Sequence, residues 1–362
     1  MTAAAHGRAR SDAAKPDPAP PPRRRVPYGA TLALLAALAV AAATAGTAAG
    51  SVTIPPAQVW GIVLHAIHPA LADPTWTPVR ETIVLDVRLP RVVLGGVVGA
   101  GLSVCGMALQ ALVRNPLADP MLMGVSSGAT VGAVLVMTFH LAFAGTFSLP
   151  VSAFAGALLA LVLVVALARS GGRMTTVRLV LSGVATAEVL QAVASFLIVT
   201  SDDPHKADAA LRWMLGGLAG STWDLVWLPA LAVVAGTAAL LGVSRSLNLL
   251  LAGEEAAAAM GLDVHRFRAA LFTLVAALVG TIVAVSGAIG FVGLMMPHVV
   301  RLLVGADHRR ALPAVALLGA AFLMAADVAA RTVIAPEEIP VGIITALVGG
   351  PFFLWLMRRR AA

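Results

Sequence analysis

RVVLGGVVGAGLSVCGMALQALV, residues 91–113, runs directly into RNPLADP, residues 114–120. After Arg91 no charge recurs until Arg114. About 20 apolar residues in helix match the hydrocarbon thickness of a bilayer, so the stretch reads as a membrane-spanning helix that ends at a proline-broken turn. Nine further stretches read the same way: 27–49, 121–142, 148–168, 177–199, 224–243, 268–286, 289–305, 312–331 and 339–357. The 289–305 stretch is short and contains Pro297. The expected fold is an all-α polytopic membrane protein with about ten transmembrane helices.

Composition agrees. The 362 residues are 59% apolar and 12% charged, against about 25% charged in soluble domains. A net charge of +7 invites a nucleic-acid reading. The basic residues instead cluster at helix ends, and aromatic residues make up only 5%, too few for a base-stacking platform. Cys105 is the sole cysteine, so an intrachain disulfide and a cysteine-rich metal site are excluded. Neither lysine, Lys15 or Lys206, stands in a Gly-Lys-Ser/Thr triplet, so no phosphate-gripping loop is present. Work done by this chain must draw on an ion gradient or on an ATPase carried by another chain.

Residues 1–25 combine Pro16, Pro18, Pro20, Pro21 and Pro22 with Arg23, Arg24 and Arg25, and read as a disordered basic tail. Residues 26–362 form the transmembrane domain. Ala43-Thr44-Ala45 resembles a signal cleavage site, but the apolar core before it is longer than a signal peptide requires. The expectation is an uncleaved first span. With both termini cytoplasmic, 19 of the 25 Lys and Arg residues fall on the inside, as the positive-inside rule asks.

Gly99, Gly106 and Pro116 share their spacing with Gly280, Gly287 and Pro297, on spans of opposite direction. An inverted repeat leaves this trace; close packing of small residues between helices leaves it too. Three segments are too polar or too regular for plain connectors. Asn115 to Pro120, followed by Gly124 to Ala129, is either a tight turn or a turn lining a gated pathway. Within 247–268, Glu254 and Glu255 open an alanine-rich helix that Gly261 can end, and a helix so short calls for a soluble partner. Arg88, Arg91 and Arg331 stand at outer span ends, suited either to a partner's carboxylates or to lipid headgroups. Glu188 and Asp327 are ionisable residues inside spans; Asp327 and Arg331, four apart, are placed to pair. His65 and His68 have metal-like spacing without a third ligand, and no metal or cofactor is expected.

In order along the chain, Arg88-Leu89-Pro90-Arg91, Asn115-Pro116-Leu117-Ala118-Asp119-Pro120, Trp213-Met214-Leu215-Gly216-Gly217 and Gly253-Glu254-Glu255-Ala256 are followed by Gly290-Phe291-Val292-Gly293-Leu294, Pro297-His298 with Arg301, Asp307-His308-Arg309 and Glu338-Ile339-Pro340-Val341-Gly342. This series resembles the FecCD-type permease subunits of iron-siderophore, haem and cobalamin ABC importers, over nearly everything after the basic tail. The resemblance implies an inverted-repeat permease fold in the cell membrane and two permease subunits, the second a copy or a paralogue. It also implies two cytoplasmic ATP-binding subunits and an extracytoplasmic substrate-binding protein. It assigns Arg88, Arg91 and Arg331 to binding-protein docking, Gly253, Glu254, Glu255, Ala256 and Gly261 to ATPase coupling, and Asn115, Leu117 and Thr176 to a cytoplasmic gate. Trp213 to Gly220 would match a short outer helix at the pathway mouth. The chain itself is then no enzyme, and an iron(III)-siderophore is the expected cargo, with haem and cobalamin as alternatives. A gradient-driven secondary transporter is the competing class, disfavoured by the scarcity of intramembrane acids for a proton relay. An intramembrane enzyme lacks a nucleophile–base pair.

Overall fold

The computed structural model describes residues 27–50, 52–170 and 173–361; the predicted basic tail lies outside them. Ten helices take the places of the expected spans: α1 (Tyr28–Ala48), α4 (Leu89–Val113), α5 (Val125–Phe139), α6 (Ser148–Ala168), α7 (Thr176–Val199), α9 (Trp223–Gly242), α12 (Val264–Ser286), α13 (Val292–Val304), α14 (His308–Thr332) and α15 (Val341–Ala361). Between them lie α2 (Pro56–Ile67), α3 (Pro78–Thr82), α8 (Pro204–Met214), α10 (Ser244–Leu251) and α11 (Glu254–Ala259). Among the described residues, eight helices are long and apolar enough to cross a bilayer.

The other two, α5 and α13, have 15 and 13 residues. At 1.5 Å per residue each reaches only about 20 Å, short of the ~30 Å hydrocarbon core. Expected spans 121–142 and 289–305 are therefore not helical throughout. Pro120 to Met123 forms a 3₁₀ turn before α5. Before α13 the chain leaves the helix at Gly287, whose φ of +64° suits a residue without a Cβ. That irregular stretch lies against protein: the Gly217 N–H donates to the Ser286 carbonyl at 2.9 Å, as non-helical backbone at membrane depth requires.

The second span does not begin at Arg91. The chain is helical from Pro78, passes through a π-helical segment, Ile83–Arg88, and continues as α4. Pro90 is the cause: it lacks an N–H and its ring would crowd the carbonyl of Asp86, so a widened turn just before it relieves the clash. Trp213 to Gly220 also differs from expectation. The helix there is α8, which stops at Met214, and Gly216 and Gly220, both at φ +73°, break the chain beyond it.

Nearly all of α4 is buried, and it packs against α14, α13, α12 and α9. The pattern is reciprocal: α4 packs on α12, α4 lies along α14 of the second half, and α12 lies along α6 of the first. Two halves related by a two-fold would make these contacts. The repeated glycines permit them, since the positions a Cβ would take at Gly99 and Gly106 are filled by the backbones of Gly319 and Gly293. Gly106→Ala is therefore expected to destabilise the fold by about 1–3 kcal/mol through overpacking, although alanine is intrinsically the better helix former by about 1 kcal/mol. Thermal unfolding in detergent checks this; an unchanged or raised midpoint would show that α13 yields freely.

Candidate functional site

The two ends of α4 carry different chemistry. At its start, Arg88, Arg91 and Arg331 converge on one cavity of about 260 Å³, also lined by Gly50, Val52 and Glu338. The three predicted docking residues are thus brought together from distant parts of the chain. Their guanidinium groups are not free, however. Arg88 is buried and donates to the carbonyls of Thr47 and Ala48, both at 2.9 Å, and of Val52. Arg331, also buried, donates to Gly46 at 2.9 Å and Ala49 at 3.2 Å. All of these carbonyls except that of Val52 belong to the end of α1, whose last turn lacks intrahelical partners for them. Arg88 and Arg331 therefore both cap α1 and present only their edges to the cavity.

Arg91 is the pivot. It pairs with Asp327 at 2.9 Å and with Glu338 at 2.9 Å. Asp327, almost fully buried, also pairs with Arg331 at 3.0 Å, as the four-residue spacing predicted. The Arg331 Nε–H donates to the Asp327 main-chain carbonyl at 3.4 Å, so the contact with the carboxylate is Coulombic. Three cations against two carboxylates leave the cluster with one net positive charge. Glu338 is half exposed, and its link to Arg91 is legible in the sequence only as the Glu-Ile-Pro motif. Beyond Arg91 and Glu338, a second cavity of about 320 Å³ opens between Trp213, Gly217, Ser286 and Pro340. The Arg91–Glu338 pair is the wall common to both cavities.

At the far end, Arg114 caps α4 in the left-handed region, with φ 54°. Asn115 Oδ1 accepts from the Leu117 N–H at 2.9 Å, a local turn that leaves both residues exposed. Thr176 heads α7, which packs against the Pro120–Met123 turn. The three predicted gate residues therefore share one end of the bundle. His65 and His68 are occupied locally, bonding the Ala72 carbonyl and the Ala70 N–H.

Helix α11 is the most regular feature of this end. Gly253, at φ +116°, admits the sharp entry. At the exit, Leu262 donates to the Ala257 carbonyl at 3.0 Å and Gly261 to Ala258 at 2.9 Å, the paired bonds of a Schellman cap. Glu255, Ala256, Ala259 and Met260 are exposed on one surface. Glu254, its side chain 38% exposed, stands at the edge of that surface. It turns inward to Arg268 at 2.6 Å and Arg114 at 3.3 Å. Arg268 is only 2% exposed and begins the buried face of α12, so it draws the carboxylate toward itself. Sequence reading missed this contact because Arg268 counts there as one more basic residue of a cytoplasmic loop.

Nearby, Asn248 on α10 fixes the start of α14: it donates to Asp307 at 2.8 Å and accepts from the His308 N–H at 3.0 Å. The Asn248 hydrogen bond holds the Asp307 carboxyl below the usual carboxylate range. Gln110 bonds Arg301 across a cavity of about 240 Å³ that Arg114 and His308 also line.

The profile of the FecCD transport family matches residues 34–359. A cobalamin import system permease protein (BtuC) of Halobacterium salinarum is 48% identical over 83% of this chain and 80% of its own length. A hemin transport system permease protein (HmuU) of Yersinia pestis is 44% identical, covering 76% of this chain and 83% of the relative. An Fe(3+)-citrate import system permease protein (YfmD) of Bacillus subtilis is 40% identical, covering 78% and 84%. Among solved structures, an inward-facing transporter described as an ABC transporter of metal-chelate type superposes with a TM-score of 0.78 at 31% identity, over 91% of this chain and 99% of that one.

Proposed function

From a chain that belongs to the FecCD transport family, we propose a membrane permease subunit of an ATP-driven, binding-protein-dependent importer of metal chelates. One observation carries this reading: an arginine-lined cavity and an exposed short helix with a Schellman-capped end stand at opposite ends of the same buried helix. The first suits acidic side chains of a docking protein, and the second suits a soluble motor, which the chain needs because it has no nucleotide-gripping loop.

The arginine end faces outward and α11 faces the cytoplasm, with both termini on the cytoplasmic side of the cell membrane. An extracytoplasmic binding protein presents acids to Arg91 and to the exposed edges of Arg88 and Arg331. Two cytoplasmic ATPases receive the Glu255–Met260 surface, and a second permease subunit, a copy or a paralogue, completes the pathway. Asn115, Leu117 and Thr176 close its cytoplasmic end. The cargo is a corrinoid, haem or ferric-siderophore chelate; the similarity to a ferric-citrate permease keeps the siderophore reading in play.

In proteoliposomes the assembled importer is expected to accumulate chelate only with ATP, undisturbed by a protonophore, while the isolated chain hydrolyses no ATP. Uptake that persists without ATP and collapses with the protonophore would replace this reading with a gradient-driven one.

A further inference from the structure

Helix α7 exposes one ionisable residue, Glu188, that does not belong in lipid. Leu179, Gly183, Thr186, Ala194 and Ile198 are buried on the face that packs on α5 and α6. Val189, Val193 and Phe196 form an exposed apolar strip. Glu188, Gln191 and Ser195 recur at helical spacing on another sector, which the exposed apolar Val184 and Leu181 share one and two turns before Glu188. Glu188 and Ser195 are exposed and Gln191 is half-buried. Glu188 stands midway along the span, and among the described residues nothing pairs with it. An ionisable side chain at that depth turns to a water-filled cavity or to a partner, not to hydrocarbon.

We propose that Glu188 lines the translocation pathway as a charge filter, favouring chelates with neutral, N–H-bearing peripheries over polyanionic ones. The step rests on the importer reading, which supplies the aqueous route between two permease subunits. A carboxylate is an acceptor only, and its field is strong in a narrow passage with low-dielectric walls. It therefore accepts hydrogen bonds from amide groups and repels free carboxylates. Cobalamin carries peripheral amides, whereas haemin and ferric citrate carry carboxylates. Glu188 thus points to a corrinoid-like cargo.

Two measurements on the importer assembled with its partners test this. Cys105 is the sole native cysteine and is buried, so Glu188→Cys and Val189→Cys can be compared against a quiet background. A membrane-impermeant cationic methanethiosulfonate is expected to modify the Glu188→Cys protein at least tenfold faster. Equal rates, or protection by the second subunit, would overturn the pathway assignment. ATP-dependent uptake of cyanocobalamin, haemin and ferric citrate is then measured for the native protein and for Glu188→Gln. The preference for cyanocobalamin over haemin and ferric citrate is expected to fall about tenfold. An unchanged preference sinks the filter and leaves the importer intact. Native uptake that needs no ATP sinks the importer, while labelling still decides whether Glu188 meets water.

Discussion

Replacing Asp327 by Ala is expected to cost about 3–5 kcal/mol of stability, the range for breaking a buried ion pair. The carboxylate is 1% exposed and sits between Arg91, at 2.9 Å, and Arg331, at 3.0 Å. Its loss leaves two guanidinium groups repelling each other, and Glu338 reaches only Arg91. Against a typical total of about 5–15 kcal/mol, that loss is large. Yield of monodisperse protein and the thermal midpoint in detergent report it. The double variant Asp327→Ala with Arg331→Met separates charge from volume. It should be less damaged than Asp327→Ala alone if uncompensated charge dominates, and more damaged if the lost α1 cap does.

The second large effect is functional. Glu254→Ala is expected to lower ATP-driven uptake more than tenfold while the assembled importer still hydrolyses ATP at near its normal rate. Glu254 joins α11 to α12 through Arg268 and to the end of α4 through Arg114, and α4 and α12 are the buried helices at the centre of the two halves. The Arg114 contact is solvent-exposed and worth at most about 1 kcal/mol. The Arg268 contact, with a guanidinium 2% exposed, is the one that transmits. Exchanging the charges as Glu254→Arg with Arg268→Glu should restore part of the uptake. Uptake and hydrolysis falling together would instead place Glu254 in ATPase docking, as the sequence alone suggested.

Much of the architecture was legible in the sequence because hydropathy depends on composition in one segment at a time. The ten stretches and the capped segment Gly253–Gly261 all appear near their expected places. The failures share a cause. The short α5 and α13, and the helix that runs past Arg91 to Pro78, depend on how proline and glycine are accommodated by neighbouring backbone. Asp327 with Arg331 was readable because the two lie one turn apart.

Run-by-run apolarity was thus enough to establish a helical membrane protein with polar ends and no nucleotide grip. Which charges turn inward was settled by contacts between segments far apart in the chain. Arg88 reaches the end of α1, Arg91 reaches Glu338, and Glu254 reaches both Arg114 and Arg268. A guanidinium one turn inside a helix looks the same in sequence whether water, a carbonyl or a carboxylate awaits it. Only the packing of the helices, which removes water from some of these groups and leaves it at others, assigns each its partner.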